Sequence, residues 1–310
     1  MIPAYNEEES IASVIKEIPR DCCDTVEVLV IDDGSKDRTY DEALKAGADR
    51  IIRFKKNRGL APAFRAGLEA ALLMGADIIV NTDADGQYDG REIPLLIEPI
   101  LKNRADIVLG SRTLGIIEEM PMEKKIGNSL ATLVTRRVSG FKVSDAQTGF
   151  RAFTREAALR LNVQSGYTYV HETIIQSVHN CMIIVEVPIT FRKRTNGGSR
   201  LISNIFNYAG KAGATIIRTY RDFQPLKTFL FIGGCFILAG LITGMYVLAY
   251  YFSTGVITGK LPTAVLTVLL MILGFQSIVM GILADMLKSH KQVQDEILYR
   301  LKKIEYSKRA

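Results

Sequence analysis

Tryptophan is absent from the 310 residues, histidine occurs three times and cysteine four times. The cysteines, Cys22, Cys23, Cys181 and Cys235, form no Cys-x-x-Cys pair, so neither a zinc site nor a disulfide framework is expected. Charge is missing from two long stretches, Thr228 to Gly259 and Leu261 to Ala284. A soluble core helix rarely runs that far without a charge. Each stretch exceeds the roughly 20 helical residues that cross a bilayer core of about 30 Å. Joined by a short loop, they predict a hairpin of two transmembrane helices. The length predicts one large domain with something appended to it. The chain opens inside a strand pattern, Met1-Ile2-Pro3-Ala4-Tyr5, so a short first strand is expected.

The net charge of +6 is unevenly spread. Residues 192–222 carry seven Lys/Arg against one acid and residues 286–310 seven against three, which leaves residues 1–191 acidic. Basic residues thus gather at both feet of the hairpin, and Lys260 alone lies between the spans. The positive-inside tendency predicts both termini and the large N-terminal part in the cytosol, under a cell membrane or endomembrane. Nucleic acid is not expected as a partner, because this positive charge borders membrane spans, where it meets anionic lipid or a phosphorylated lipid substrate.

Through the first half, apolar runs alternate with amphipathic segments, the pattern of a mostly parallel sheet covered by helices. Strands are predicted at Val26 to Ile31, Ile51 to Phe54, Ala76 to Asn81, Asp106 to Leu109, Phe150 to Phe153 and Ile183 to Phe191. Helices are predicted at Ala61 to Met74, Lys125 to Val138 and Tyr169 to His179. Polar clusters follow the strands at Asp32-Asp33-Gly34-Ser35, Asp83-Ala84-Asp85-Gly86-Gln87 and Gly110-Ser111-Arg112. The carboxyl edge of an open α/β sheet is where ligands bind. Four regions result: a catalytic unit over 1–200, an amphipathic segment over 201–226, the hairpin over 227–285 and a basic helical tail over 286–310. The second region suits either the membrane interface or one more soluble helix. The tail places Val293, Ile297, Leu301 and Ile304 at helical spacing, which suits a neighbouring subunit or a membrane surface.

Asp83, Asp85 and Gln87 alternate after an apolar strand. In extended geometry residues i, i+2 and i+4 share a face, so three oxygen-bearing side chains can converge on one hard cation. Magnesium or manganese (Mg2+ or Mn2+) suits them and can bridge to a diphosphate. Asp32 and Asp33 can accept hydrogen bonds from a base or a ribose, although Asp-Asp-Gly-Ser is also ordinary turn chemistry. Asn57-Arg58-Gly59 opens a helix whose N–H groups, with one cation, favour phosphate.

Together with Pro3-Ala4-Tyr5-Asn6-Glu7-Glu8, Asp145-Ala146-Gln147-Thr148-Gly149-Phe150-Arg151, Glu186-Val187-Pro188-Ile189 and Arg194-Thr195-Asn196-Gly197-Gly198-Ser199-Arg200, these motifs resemble, in order and spacing, the inverting family 2 glycosyltransferases of GT-A fold. The chain is most similar to their dolichol-phosphate mannosyltransferase and polyprenyl-phosphate glycosyltransferase branch, over about residues 1–200. The resemblance implies a GT-A, Rossmann-like α/β fold with a mixed sheet and helices on both faces, followed by an interfacial helix and two transmembrane helices. It implies a nucleotide site from Pro3, Tyr5, Glu7, Asp32, Asp33, Asn57, Gly59, Asp83 and Ala84, and a metal site from Asp83, Asp85 and Gln87. It also implies an acceptor-phosphate grip from Arg112, Lys124, Arg194, Ser199 and Arg200, with Asp85, Arg112 and Arg194 central to catalysis. Relatives often carry arginine where this chain has Lys124, which exchanges a fork for a point charge.

The implied reaction moves a hexose from GDP-mannose, UDP-glucose or UDP-N-acetylglucosamine to a polyprenyl or dolichyl phosphate, with inversion. That acceptor is already an anion and needs no strong base; the cations Arg58, Arg112, Lys124, Arg194 and Arg200 offset the meeting negative charges. Glu172 is a further candidate for the sugar pocket or a base, and a homo-oligomer is implied as possible. Two rivals differ in class. A processive polysaccharide synthase requires a Gln-x-x-Arg-Trp motif, which a chain without tryptophan lacks. A non-catalytic membrane scaffold sits poorly with Asp83, Asp85 and Gln87.

Overall fold

The computed structural model describes residues 1–118, 122–163, 169–193 and 224–307; the side chains at 122–124, 126 and 307 lie outside that description. The described residues divide between two units, one formed by Met1–Ala212 with Asp295–Ala310, the other by Gly213–Gln294.

In the first unit β1 (Ile2–Ala4), β2 (Leu29–Asp32) and β3 (Arg50–Arg53) form a parallel sheet in the order β1-β2-β3. A second group, β4 (Ile78–Asn81), β5 (Ile107–Ile117), β6 (Arg151–Thr154) and β7 (Ile184–Phe191), runs in the order β4-β6-β5-β7, with β6 antiparallel to both neighbours. The Met1 amino group donates to Val80 O at 2.6 Å and Thr82 N donates to Met1 O at 3.2 Å, the slanted pattern of a parallel pair. The two groups therefore read as one mixed sheet.

Period-two side chains explain why both faces are covered. Leu29 and Ile31 of β2 are buried with Phe64, Leu68 and Leu72 of α3 (Leu60–Leu73), whereas Val30 is buried with Ile11, Val14 and Ile15 of α1 (Ile11–Glu17). Helices α2 (Thr39–Lys45) and α4 (Ile93–Leu101) follow β2 and β4. Helix α4 buries Leu96, Ile97 and Ile100 against Val108 and Phe150. Helices α5 (Met122–Ser139), α6 (Arg155–Arg160) and α7 (Val170–His179) complete the α/β part among the described residues. Such burial stabilises by about 25 cal/mol per Å² of apolar surface.

Strand β5 is longer than predicted. It runs on from Leu109 to Ile117 beside β7, with a register shift between Ser111 and Ile116. Gly110-Ser111-Arg112 therefore lies inside a strand rather than after one.

In the second unit α8 (Pro225–Thr254) and the first part of α9 (Leu261–Ser307) form the predicted hairpin. Both are long and apolar enough to cross a membrane, and their apolar side chains are mostly exposed rather than buried in protein. Exposed apolar surface on this scale calls for lipid. Small residues set the close approach of the two helices: a Cβ on Gly233 would stand 2.8 Å from Gly274 O. Thr267 Oγ1 donates to Thr243 Oγ1 at 2.9 Å across the pair.

No break separates the second span from the tail, because α9 is one helix from Leu261 to Ser307. From Asp295 onward it belongs to the first unit. There Tyr299 Oη donates to Glu156 Oε1 at 2.5 Å, Asn162 Nδ2 to Asp295 Oδ1 at 2.6 Å and Lys302 Nζ to Leu161 O at 3.1 Å. Tyr299 and Tyr306 are buried, while the predicted stripe of Val293, Ile297, Leu301 and Ile304 is exposed. The apolar period therefore marks the outer face of this helix. The packed face is made of tyrosines and polar ends, which bury a ring while a hydroxyl finds a partner.

Candidate active site

The loop after β1 and the turn after β2 are stitched together by short polar contacts. Asp33 N donates to Ala4 O at 2.9 Å, Asn6 N to Ser35 Oγ at 3.0 Å, Lys36 N to Asn6 Oδ1 at 2.9 Å and Glu7 N to Thr39 Oγ1 at 2.8 Å. Pro3 is buried within β1 opposite Ile31, and Tyr5 and Glu7 are half-buried just beyond the strand. Asp32 is the last residue of β2 and fully buried. Its Oδ1 accepts from Ser35 N at 2.8 Å, and Oδ2 lies 3.0 Å from Arg53 Nε.

Asp33 accepts from Arg58 N at 2.7 Å through one oxygen and from Gly59 N at 2.8 Å through the other. Two of the N–H groups that the sequence offers to a phosphate at the start of α3, those of Arg58 and Gly59, are thus already taken. Arg58 lies over the Phe54 ring at 4.8 Å and, like Asn57, is exposed. Gly34 explains the close fit: with φ at +73° it lies so near this segment that a Cβ would stand 2.5 Å from Lys56 C. Burial pushes the Asp33 carboxyl up from its ordinary value against these two N–H groups, which favour the charged form.

Asp83, Ala84, Asp85 and Gln87 sit in a turn after β4, with Gly86 at φ +72°. The alternation expected of an extended strand does not hold here. Asp85 Oδ1 accepts from Gln87 N at 3.1 Å, an Asx turn, and Gln87 Nε2 donates to Arg192 O at 3.4 Å. Ala84 is buried, and its carbonyl accepts from Ser10 Oγ at 2.7 Å, which ties this turn to the start of α1. Asp83 presses on the backbone at Gly149, where a Cβ would come 2.8 Å from Asp83 Oδ1. Burial, and then the charge of Asp85, push the Asp83 carboxyl up to about 7, against the lowering influence of Arg112 and Arg151. Two carboxylates held close with excess negative charge fit a hard divalent cation. Among the described residues no group of three His, Cys, Asp or Glu side chains could hold a metal, so these two carboxylates would not by themselves complete a cation's ligand shell.

Arg112 is buried and held by Asp145 as a fork. Nε donates to Asp145 Oδ2 at 2.6 Å and Nη2 to Oδ1 at 2.8 Å, while the guanidinium lies 5.0 Å from the Phe191 ring centre. Burial opposes charge on both groups, yet the pairing holds Asp145 below the usual carboxylate range and keeps Arg112 protonated. The Asp145 loop is anchored from β7, where Glu186 accepts from Ser144 N at 2.9 Å and from Ser144 Oγ at 2.6 Å. Beneath it Arg151 is fully buried, donating to the carbonyls of Thr148, Val170 and Ala146 and to Thr173 Oγ1. Tyr88 Oη accepts from Gly149 N at 2.9 Å. Sequence reasoning assigned no individual role to Asp145, Glu186, Arg151 or Tyr88; Asp145 to Arg151 and Glu186 to Ile189 entered only as segments of the family resemblance. Glu172 is buried on α7 and accepts from Gln176 Nε2 at 3.1 Å. Lys124 stands in the first turn of α5 with its side chain outside the description. Arg194, Ser199 and Arg200 lie outside the described residues.

Known proteins match this arrangement at both ends of the chain. Residues 1–161 match the family Glycosyl transferase family 2, and residues 207–288 match the Glycosyltransferase family 2 C-terminal transmembrane region. A UDP-N-acetylglucosamine–dolichyl-phosphate N-acetylglucosaminyltransferase of Methanococcus voltae is 35% identical over 211 residues, covering 61% of this chain and 83% of that protein. A polyprenol monophosphomannose synthase of Mycolicibacterium smegmatis is 30% identical over 212 residues, covering 65% and 79%. Among solved structures, glucosyl-3-phosphoglycerate synthase from Mycobacterium tuberculosis, in complex with Mn2+, uridine diphosphate and phosphoglyceric acid, shares the fold. It has a TM-score of 0.57 at 22% identity and covers 71% of this chain and 75% of that one. With a mixed α/β sheet, an acidic turn after β4 and a two-helix transmembrane region, this chain belongs to glycosyl transferase family 2.

Proposed function

We infer that this protein transfers one hexose from a nucleotide-sugar to a polyprenyl or dolichyl phosphate, with inversion at the anomeric carbon. The observation that carries the reading is the pairing of two unlike charge centres in a membrane-anchored enzyme: the Asp83/Asp85 turn and the Arg112–Asp145 fork, which influence each other electrostatically. The names of the two relatives, both transferases acting on isoprenoid lipids, support the lipid acceptor.

On this reading the loop from Pro3 to Glu7, with the β2–α2 turn packed on it, receives the nucleotide. Asp83, Asp85 and Gln87 hold Mg2+ or Mn2+, which supplies charge neutralisation at the departing diphosphate. Arg112, already oriented by Asp145, presents a fixed guanidinium to the acceptor phosphate, so little reorganisation is needed as charge moves. Lys124, Arg194, Ser199 and Arg200 complete that grip. No general base is required, because the attacking phosphate oxygen is anionic at neutral pH. Basic residues at both feet of the hairpin put the catalytic unit and both termini on the cytosolic side, with residues 201–226 at the interface. GDP-mannose, UDP-glucose and UDP-N-acetylglucosamine are the donors to compare, since donor choice rests on a few pocket contacts.

The test is transfer of radiolabelled sugar from each donor to dolichyl phosphate by the detergent-solubilised full chain, with Mg2+ or Mn2+. Metal-dependent labelling of lipid from one donor is expected, with loss in Asp85→Ala. Absence of lipid product from every donor overturns the reading.

A further inference from the structure

Between Asp145, which holds Arg112, and Gly149, which touches Asp83, the chain carries Gln147. Its backbone N–H donates to Asp145 Oδ1 at 3.1 Å, and its side chain is half-buried. Its Nε2 lies 3.1 Å from Nε2 of His171 on α7. The other ring nitrogen, His171 Nδ1, lies 2.8 Å from Thr135 Oγ1 on α5, and Thr135 Oγ1 donates to Ala131 O at 2.9 Å.

The three side-chain links from Ala131 to Gln147 are met together by one assignment of hydrogens. The Thr135 hydroxyl spends its proton on Ala131 O, so it accepts from His171 Nδ1–H. A neutral imidazole protonated on Nδ1 has a lone pair on Nε2. Gln147 must then donate its amide N–H to that nitrogen, which sets which end of the amide is which. Burial, and then the charge of Arg151, hold the His171 imidazolium down to about 4, so the ring is neutral at pH 7. Gln147 Oε1 remains, and among the described residues no donor reaches it. A carbonyl oxygen with a fixed direction accepts and cannot donate.

We propose that Gln147 is a sugar-recognition residue, whose Oε1 accepts a hydrogen bond from a hydroxyl of the transferred hexose, and that His171 is the positioning residue that fixes the amide through the Thr135–His171–Gln147 line. The proposal rests on the nucleotide-sugar reading above and deepens it. Its segment runs from Asp145, the partner of Arg112, to Gly149, against which Asp83 packs, so a donor sugar held between those groups would lie beside it. A site built to hydrogen-bond one hydroxyl discriminates against analogues lacking it more strongly than an apolar pocket does.

The experiment is equilibrium binding to the full chain in detergent with Mn2+, comparing each nucleotide-sugar with its nucleoside diphosphate alone. In the wild type the sugar raises affinity over the diphosphate. In Gln147→Ala that increment falls about tenfold, one buried hydrogen bond's worth, while diphosphate affinity is unchanged and serves as the check on folding. Monodeoxy donors sharpen it: one deoxy position weakens the wild type about as much as Gln147→Ala does and weakens that variant no further. His171→Phe loses part of the increment, and Gln147→Glu, which keeps an acceptor oxygen, restores part of it. An increment unchanged in Gln147→Ala, or equal losses for every deoxy donor in both proteins, overturns the proposal. Sugar-dependent binding that follows these expectations without any labelling of dolichyl phosphate would keep the Gln147 assignment and discard the lipid acceptor. Wild type that prefers no nucleotide-sugar over its diphosphate discards both.

Discussion

Asp32–Asp33 and Asp83–Asp85 are both acidic pairs at the ends of buried strands, and the protein treats them in opposite ways. The first pair is drawn into the fold: Ser35 N donates to Asp32 and Arg58 N and Gly59 N to Asp33, while the buried Asp32 Oδ2 has the ion pair with Arg53 but accepts no hydrogen bond. The second pair sits partly buried in a turn, and Asp83 is pushed up to about 7 by burial and by Asp85. The first pair chiefly holds loops in place, whereas the mutual repulsion of the second would favour a bound cation. Similar side chains after similar strands thus sit in different electrostatic surroundings: two backbone N–H groups hold Asp33, while Asp83 feels the charge of Asp85.

The sharpest way to break this contrast is to neutralise one member of each pair. Asp83→Asn removes a charge the fold does not need, so transferase activity is expected to fall by about 10²–10³, the range for losing a group that stabilises developing charge. Thermal unfolding without metal should give a melting point equal to or above that of the wild type, because a buried repulsion is relieved. A chelator should bring wild-type activity to the level of the variant. A clear drop in melting point would place Asp83 with the clamping acids instead.

Next in size is the Arg112–Asp145 fork, which is buried like the first pair and faces the second. Removing one partner of a buried ion pair leaves an uncompensated charge, at about 3 kcal/mol. Asp145→Ala is therefore expected to lower the unfolding midpoint by several degrees and to cut activity as well. Arg112→Lys keeps a charge for Asp145 but loses the second donor of the fork. It should retain most of the stability while activity falls at least tenfold. Equal losses of stability in the two variants would mean that the fork serves the fold alone.

Much of this frame was legible in the sequence, for reasons visible in single residues. The uncharged runs from Thr228 and Leu261 mark the hairpin, and the apolar run ending at Ile31 marks a buried strand. What escaped was long-range or directional. Asp145 lies 33 residues from Arg112, and no local period joins them. Whether Asp33 faces a ligand or its own chain depends on Gly34 bringing Lys56 and Asn57 within reach. The metal-binding reading of Asp83, Asp85 and Gln87 loses its geometric premise, an extended strand, to a turn, and what supports it as a proposal is the charge of the two carboxylates. The tail shows the same limit: helical periodicity found Ile297, which is 53% exposed, and passed over Tyr299, which is 8% exposed and packed.

The smallest effect belongs to Asp33, and its sign with pH distinguishes a clamp from a ligand-binding acid. Asp33→Asn keeps one acceptor for Arg58 N or Gly59 N but turns an NH2 group toward the other, so a donor faces a donor. The expected loss is about 1–2 kcal/mol at neutral pH, with weaker nucleotide binding only as far as the loop shifts. Burial raises the carboxyl above its ordinary value in the folded state, so between the unfolded and folded values the native protein holds more proton than the unfolded chain. Stability from this group is then greatest below the unfolded value and declines as pH rises through the folded one. Unfolding midpoints of the wild type and Asp33→Asn should therefore draw closer as pH rises through the carboxylate range, because the ionised carboxylate bears a desolvation cost that the neutral amide does not. A gap that widens over the same range would mean that the two backbone N–H bonds outweigh burial, and that Asp33 is held ionised like Asp145.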